Sequence, residues 1–268
     1  MSSAKLIDVK EARLNCVIDG TEGKPWITFV TGIANDHTLW DAQIPALAPH
    51  YRILRIDSRG HGLSTSSPHP YSLDQLAGDV LDVWDAFGIR KSAIAGLGLG
   101  GIVASEVALR HGDRVSALIP VSCRACMTPQ YQGIWPALVE TASKGGVAAI
   151  ADMTISRWFS EAFRDKNPAI MKSVRDAILR TSLDGYLGCI AAILTLGHAD
   201  RLATLRMPVL YVSGQHDRVG APPDIMQVMC DATPGAKHVV LPGATHISTV
   251  CNPTVFNAAL LDLLRSIQ

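Results

Sequence analysis

The sequence predicts an α/β fold with a mostly parallel central sheet, helices on both faces and a helical cap, and three observations carry that prediction. Six short runs rich in β-branched and apolar residues alternate with helix-like patterns. Those runs are apolar almost without interruption, as strands buried on both faces of a parallel sheet must be. The alternation then lapses between about residues 129 and 200, where no strand pattern appears.

The strand runs are "WITFV" (26–30), "YRILRID" (51–57), "SAIAGL" (92–97), "VSALIPV" (115–121), "VLYVSG" (209–214) and "HVVLPG" (238–243). Between them, Leu73 to Phe87 reads as a helix with Ser72 at its N-cap and Gly88 past its end. Ile102 to Arg110 reads as a second helix, ending before Gly112. The stretch 129–200 reads as several short amphipathic helices. The predicted organisation is a core made of 1–128 and 201–268, with 129–200 as a cap over the C-terminal strand ends, where ligands bind in such folds.

Composition narrows the functions available. The chain has 268 residues, 48% of them apolar and 18% charged, which suits one large domain with a real core and argues against disorder. Lys+Arg and Asp+Glu are both 24, and the basic residues do not cluster, so nucleic-acid binding is not expected. No apolar run approaches the roughly 18 residues of a membrane span, and "MSSAKLIDVKEARLN" has no signal-peptide core. A soluble, cytoplasmic protein acting on a small molecule is expected. The sequence is silent on oligomeric state. Its six cysteines are scattered in apolar surroundings and read as buried thiols. Cys123 and Cys126 form a C-x-x-C with no second pair or spaced histidines to complete a metal site, so neither metal nor cofactor is expected.

The chemistry concentrates at "GLGLGG" (96–101), a glycine-dense corner between a strand and a helix. The letters Gly96, Gly98 and Gly101 match G-x-G-x-x-G, a dinucleotide loop. However, the corner follows the third predicted strand, and "ALIPVSCRA" carries no acid for a ribose. The alternative is a G-x-S-x-G nucleophile elbow with glycine in place of serine. That corner strains any residue but glycine, so the change keeps the turn and deletes only the hydroxyl.

Two downstream loops favour the elbow. "GQHDRVGAP" (214–222) places Asp217 just past one strand, and "PGATHIS" (242–248) places His246 past the next. Elbow, acid and base thus occur in the order of the α/β-hydrolase triad. Asp217 is expected to accept Nδ1–H of His246 and leave Nε2 facing the elbow. Upstream, Thr31-Gly32-Ile33 sits where an oxyanion loop belongs, so the Ile33 and Leu99 backbone N–H groups are the candidate oxyanion donors. Asp57, Arg59 and His61 in "DSRGHGLS" read mainly as structural.

On these landmarks the chain resembles the α/β-hydrolase superfamily over almost its whole length. Within it, "VSCRACMTP", "ISRWFSEAFR" and "LRTSLDGYLGCIAAI" most resemble the 3-oxoadipate enol-lactonases. The resemblance implies that Asp217 and His246 are catalytic and that Ile33 and Leu99 form the oxyanion hole. It also implies that the cap, with Trp158 and Trp135, lines the substrate cavity. By position, Arg124 and Arg157 are candidate carboxylate binders. The departure from the family pattern is Gly98. Three readings of it stand: an enzyme that activates water or moves a substrate proton without a covalent nucleophile, a serine lactonase or esterase whose serine has been replaced by glycine, and a ligand-binding protein without turnover.

Overall fold

In the computed structural model, which describes residues 3–267, two strands that the sequence did not announce come first. They are β1 (Ser3–Val9) and β2 (Ala12–Gly20), followed by β3 (Trp26–Val30), β4 (Arg52–Ile56), β5 (Ser92–Leu97), β6 (Val115–Val121), β7 (Leu210–Gly214) and β8 (Lys237–Leu241). All eight share one sheet in the order β1-β2-β4-β3-β5-β6-β7-β8. From β4 to β8 neighbours run parallel, whereas β1–β2 and β2–β4 are antiparallel.

The two early strands escape an apolar-run search for physical reasons. β1 is a sheet edge with mostly exposed side chains, including charged Lys5 and Asp8. β2 is buried but carries polar residues that are satisfied across the sheet. Asn15 Nδ2 donates to Asp57 Oδ2 at 2.8 Å, and Arg55 Nη2 donates to Asp19 Oδ2 at 2.8 Å. Hydrogen bonding offsets the cost of burying them and interrupts the apolar pattern.

The remaining expectations hold closely. The helix Leu73–Ala86 begins where Ser72 accepts a hydrogen bond from the Gln75 N–H at 3.0 Å, and the chain leaves it through Gly88 at φ +66°. β5, at the centre, is buried at every residue. The helix after it spans Leu99–Arg110, three residues longer at its start than the periodicity indicated. The glycines there carry no amphipathic signal, so only the backbone geometry reveals the first turn. It packs against β5 and β6.

Between β6 and β7 the structure has helices and no named strand, chiefly Trp135–Gly145, Ala151–Trp158, Pro168–Leu179 and Leu183–Leu194. The last of these meets the core backbone to backbone. A Cβ at Gly60 would lie 2.4 Å from the Gly185 Cα, and one at Gly185 would lie 2.7 Å from the Gly60 Cα. Next to this contact, the Ser182 N–H donates to Gly60 O at 2.7 Å, while the Ser182 hydroxyl caps the helix by accepting from the Gly185 N–H at 3.0 Å. No single helix among the described residues is long and apolar enough to cross a membrane.

Candidate active site

The corner after β5 is built from glycines with two different jobs. At Gly96 a Cβ would sit 2.1 Å from Gly100 O, and at Gly100 one would sit 2.3 Å from Val30 O. Both obstacles are backbone and cannot turn aside, so strand and helix cross only because these residues lack side chains. Gly98 differs. It sits at φ +57°, ψ −117°, with its N–H donating to Val121 O at 2.9 Å and its carbonyl accepting from Ile102 N–H at 3.1 Å. A Cβ there would touch only the His246 imidazole, at 3.7 Å from Nε2 and 3.9 Å from Cε1, which is ordinary contact. Position 98 therefore has room for a side chain, and the obstacle is conformational.

This contrast is testable. Gly96→Ala is expected to cost about 3 kcal/mol in chemical denaturation, the upper end of overpacking penalties. A variant as stable as the parent would show that the corner opens freely.

His246 lies in the loop after β8, and its Nδ1 is 3.1 Å from Asp217 Oδ2 in the loop after β7. A carboxylate only accepts hydrogen bonds, so a neutral imidazole here carries its proton on Nδ1 and presents the Nε2 lone pair toward Gly98. Asp217 is held from behind by backbone N–H donors: Val219 at 2.8 Å and Gly220 at 3.1 Å to Oδ1, and Ala221 at 3.3 Å to Oδ2. Burial alone would raise its pKa. The His246 charge and hydrogen bond, with the backbone donors, outweigh burial and hold it at about 2.

Because the folded-state pKa lies below the ordinary value of 3.8, the carboxylate stabilises the fold above that value, and the contribution is lost as the pH falls toward about 2. In acid titrations followed by circular dichroism, Asp217→Asn is expected to flatten the loss of stability across that window. Parallel curves for parent and variant would remove Asp217 from the linkage.

His246 opens onto a cavity of about 60 Å³. Ile33, Gly98, Leu99, Trp135, Arg157, Trp158 and His246 all line it, so the structure brings together most of the residues singled out from the sequence. Among the described residues, neither the Ile33 nor the Leu99 backbone N–H donates to a protein acceptor. The Trp158 ring stands 6.2 Å from the His246 ring, and the Trp158 carbonyl accepts from the Thr245 hydroxyl at 2.6 Å. Trp135 is buried and its Nε1–H has no protein partner. Arg157 is half-buried, and its guanidinium makes no hydrogen bond or ion pair among the described residues.

Arg124 is placed elsewhere. It does not line the cavity; its Nε donates to Gly220 O at 2.5 Å and its guanidinium lies 4.7 Å from the Tyr131 ring centroid. Gly220 itself runs so close to His246 that a Cβ on it would lie 2.4 Å from Cε1. Arg124 thus braces the loop that holds the Asp217–His246 pair.

Asp57, Arg59 and His61 also stand outside the cavity. Asp57 accepts from the His37 N–H at 2.6 Å, the Arg59 Nε donates to Asp79 Oδ2 at 2.7 Å, and His61 Nδ1 donates to Arg59 O at 3.0 Å. Sequence reasoning missed Ser122, Tyr131, Tyr186 and Val219, which line the cavity. Only Ser122 had a signal, as the first residue past the C-terminal end of β6. It sits at φ +46° with its hydroxyl 3.3 Å from that of Ser248.

A glycine-cornered strand–helix turn followed by an acid and a histidine on later strand ends defines a class of protein, and the chain belongs to it. It is a member of the alpha/beta hydrolase family, whose model matches residues 29–259. More particularly, it is 28% identical over 259 residues to 3-oxoadipate enol-lactonase 2 of Acinetobacter baylyi, covering 97% of this chain and 96% of that protein. Among solved structures it superposes on the enol-lactonase from Burkholderia xenovorans with a TM-score of 0.93 and 31% identity, covering 97% of this chain and 100% of that one. It superposes on a hydrolase from Pseudomonas aeruginosa with a TM-score of 0.92 and 30% identity, covering 97% and 98% respectively.

Proposed function

We propose that this chain hydrolyses a small lactone, ester or β-dicarbonyl compound, using His246, Asp217 and a backbone oxyanion hole but no covalent nucleophile. One observation carries the reading: the Nε2–Cε1 edge of His246 faces Gly98, a residue without a side chain, inside the cavity. Asp217 keeps the imidazole oriented and offsets the charge it gains. Water beside Gly98 gives a proton to Nε2 as its oxygen adds to the substrate carbonyl. The Ile33 and Leu99 N–H groups receive the developing oxyanion, worth roughly 3–4 kcal/mol to the transition state. Collapse breaks the acyl C–O bond of a lactone or ester, or the C–C bond between the carbonyls of a β-dicarbonyl compound, and the departing oxygen or enolate takes the proton back from Nε2.

Residues 129–200 act as the cap, with Trp135 and Trp158 walling the substrate and the unpartnered Arg157 receiving a polar or anionic group. The ester class is supported by the names of the relatives; the nucleophile-free step is supported by Gly98 alone. Assaying the purified protein against a panel of lactones, aryl esters and β-diketones tests the reading. Turnover without labelling by a fluorophosphonate is expected. If no compound is turned over while one raises the melting temperature, the chain is a binding protein and the hydrolase reading fails.

A further inference from the structure

We propose that Thr245 is a positioning residue for the base: its hydroxyl fastens the end of a cap helix to the loop that carries His246, so the imidazole keeps its aim at Gly98 only while the cap is seated. The proposal rests on the hydrolase reading and adds a residue to its machinery. Thr245 immediately precedes His246, and its Oγ1 donates to Trp158 O at 2.6 Å across 87 positions of sequence. Trp158 is the last residue of the Ala151–Trp158 helix, so its carbonyl is one of those a helix cannot satisfy internally. The residue is also buried, which leaves that carbonyl dependent on a protein partner.

The contact is supported from both sides. A hydroxyl donates one proton, so with that proton on Trp158 O the Thr245 oxygen is free to accept from the Cys251 thiol 3.5 Å away. Burial raises the Cys251 pKa, which keeps the thiol protonated at neutral pH as that donor requires. Behind Thr245 the loop has no room to retreat. A Cβ on Gly214, the last residue of β7, would lie 2.1 Å from Thr245 O, and the His216 N–H donates to Ala244 O at 2.8 Å.

Asp217 alone does not fix the imidazole. One hydrogen bond to Nδ1, at 3.1 Å, holds an atom and leaves the ring free to swing about that line. Two neighbours limit the swing. The Gly220 backbone closes on the Nδ1–Cε1 edge, where a Cβ would lie 2.8 Å and 2.4 Å from those atoms, and the Trp158 ring stands 6.2 Å from the imidazole. Gly220 belongs to the loop that holds Asp217, whereas Trp158 belongs to the cap and reaches His246 from there. The Thr245 hydroxyl registers the one against the other.

The test uses phenyl acetate and α-angelica lactone as probes with the parent, Thr245→Val and Thr245→Ser. Valine keeps the shape and removes the hydroxyl, whereas serine keeps the hydroxyl and removes a methyl group. Thr245→Val is expected to lose about three- to tenfold in kcat, the net worth of one hydrogen bond, with KM within about twofold, and Thr245→Ser to restore most of it. Hydrogen exchange read by mass spectrometry supplies a measure independent of turnover. In Thr245→Val, peptides covering 151–159 and 243–250 are expected to exchange faster together, while Leu183–Leu194 stays unchanged. Thermal melting checks folding, and Thr245→Ala, which admits water to the Trp158 carbonyl, replaces valine if that variant does not fold. Full kcat in Thr245→Val, or an equal loss in Thr245→Ser, overturns the proposal and leaves the hydrolase reading standing. Unchanged exchange at either peptide overturns it as well. No turnover of either probe by the parent removes the hydrolase reading and the positioning role together.

Discussion

Replacing His246 by alanine is expected to lower turnover by about 10²- to 10⁴-fold, the usual contribution of a positioned general base, while the protein stays folded. The loss is large because, among the described residues, the cavity lining offers no second histidine or carboxylate. His246 is the imidazole that edges Gly98, and Asp217 lies behind it with its carboxylate taken up by backbone donors. Those donors also explain why the fold survives. Without His246 the Asp217 carboxylate keeps the Val219, Gly220 and Ala221 N–H groups, so it is not left as an unpaired buried charge. The check is kcat/KM on whichever panel compound the parent turns over, beside a thermal melt. A variant retaining full activity would remove the pair from the mechanism.

Gly98→Ser is expected to convert the chain into a serine hydrolase that labels with a fluorophosphonate and shows a burst of product. A serine Cβ would stand 3.7 Å from His246 Nε2, so its hydroxyl comes within reach of the base by rotation about one bond. The cost is backbone strain at φ +57°, ψ −117°, about 1–3 kcal/mol for a residue with a Cβ. That corresponds to a drop of a few degrees in melting temperature for a domain of this size. Mass spectrometry of the labelled protein and a differential scan give both readouts. An unlabelled but folded serine variant would show that the corner does not present its side chain to His246.

The elements that sequence alone revealed share one property: their signal is local. β5 is apolar at nearly every position because both faces are covered, and Ser72 and Gly88 bracket their helix through neighbouring backbone groups. Gly98, Asp217 and His246 were legible because each follows a strand, and strand ends converge in a parallel sheet. What stayed hidden depends on distant partners. β2 carries Asn15 and Asp19 because Asp57 and Arg55 satisfy them from another strand. Arg124 was expected at the substrate by position, yet Gly220 O and the Tyr131 ring determine where it goes. Tyr186 reaches the cavity from a helix whose docking is set by a contact far away in the sequence.

That contact limits how the helices between β6 and β7 can be exchanged. Gly60 and Gly185 obstruct each other through backbone atoms, so enlarging either one cannot be compensated by trimming the other. The two positions constrain each other physically. A chimaera that borrowed the helices between β6 and β7 from a relative with a larger residue at 185 would lift the Leu183–Leu194 helix off the turn, and Tyr186 and Ile193 would leave the cavity wall with it. The cavity wall is thus easier to alter by changing side chains on a helix already seated than by exchanging the helices wholesale.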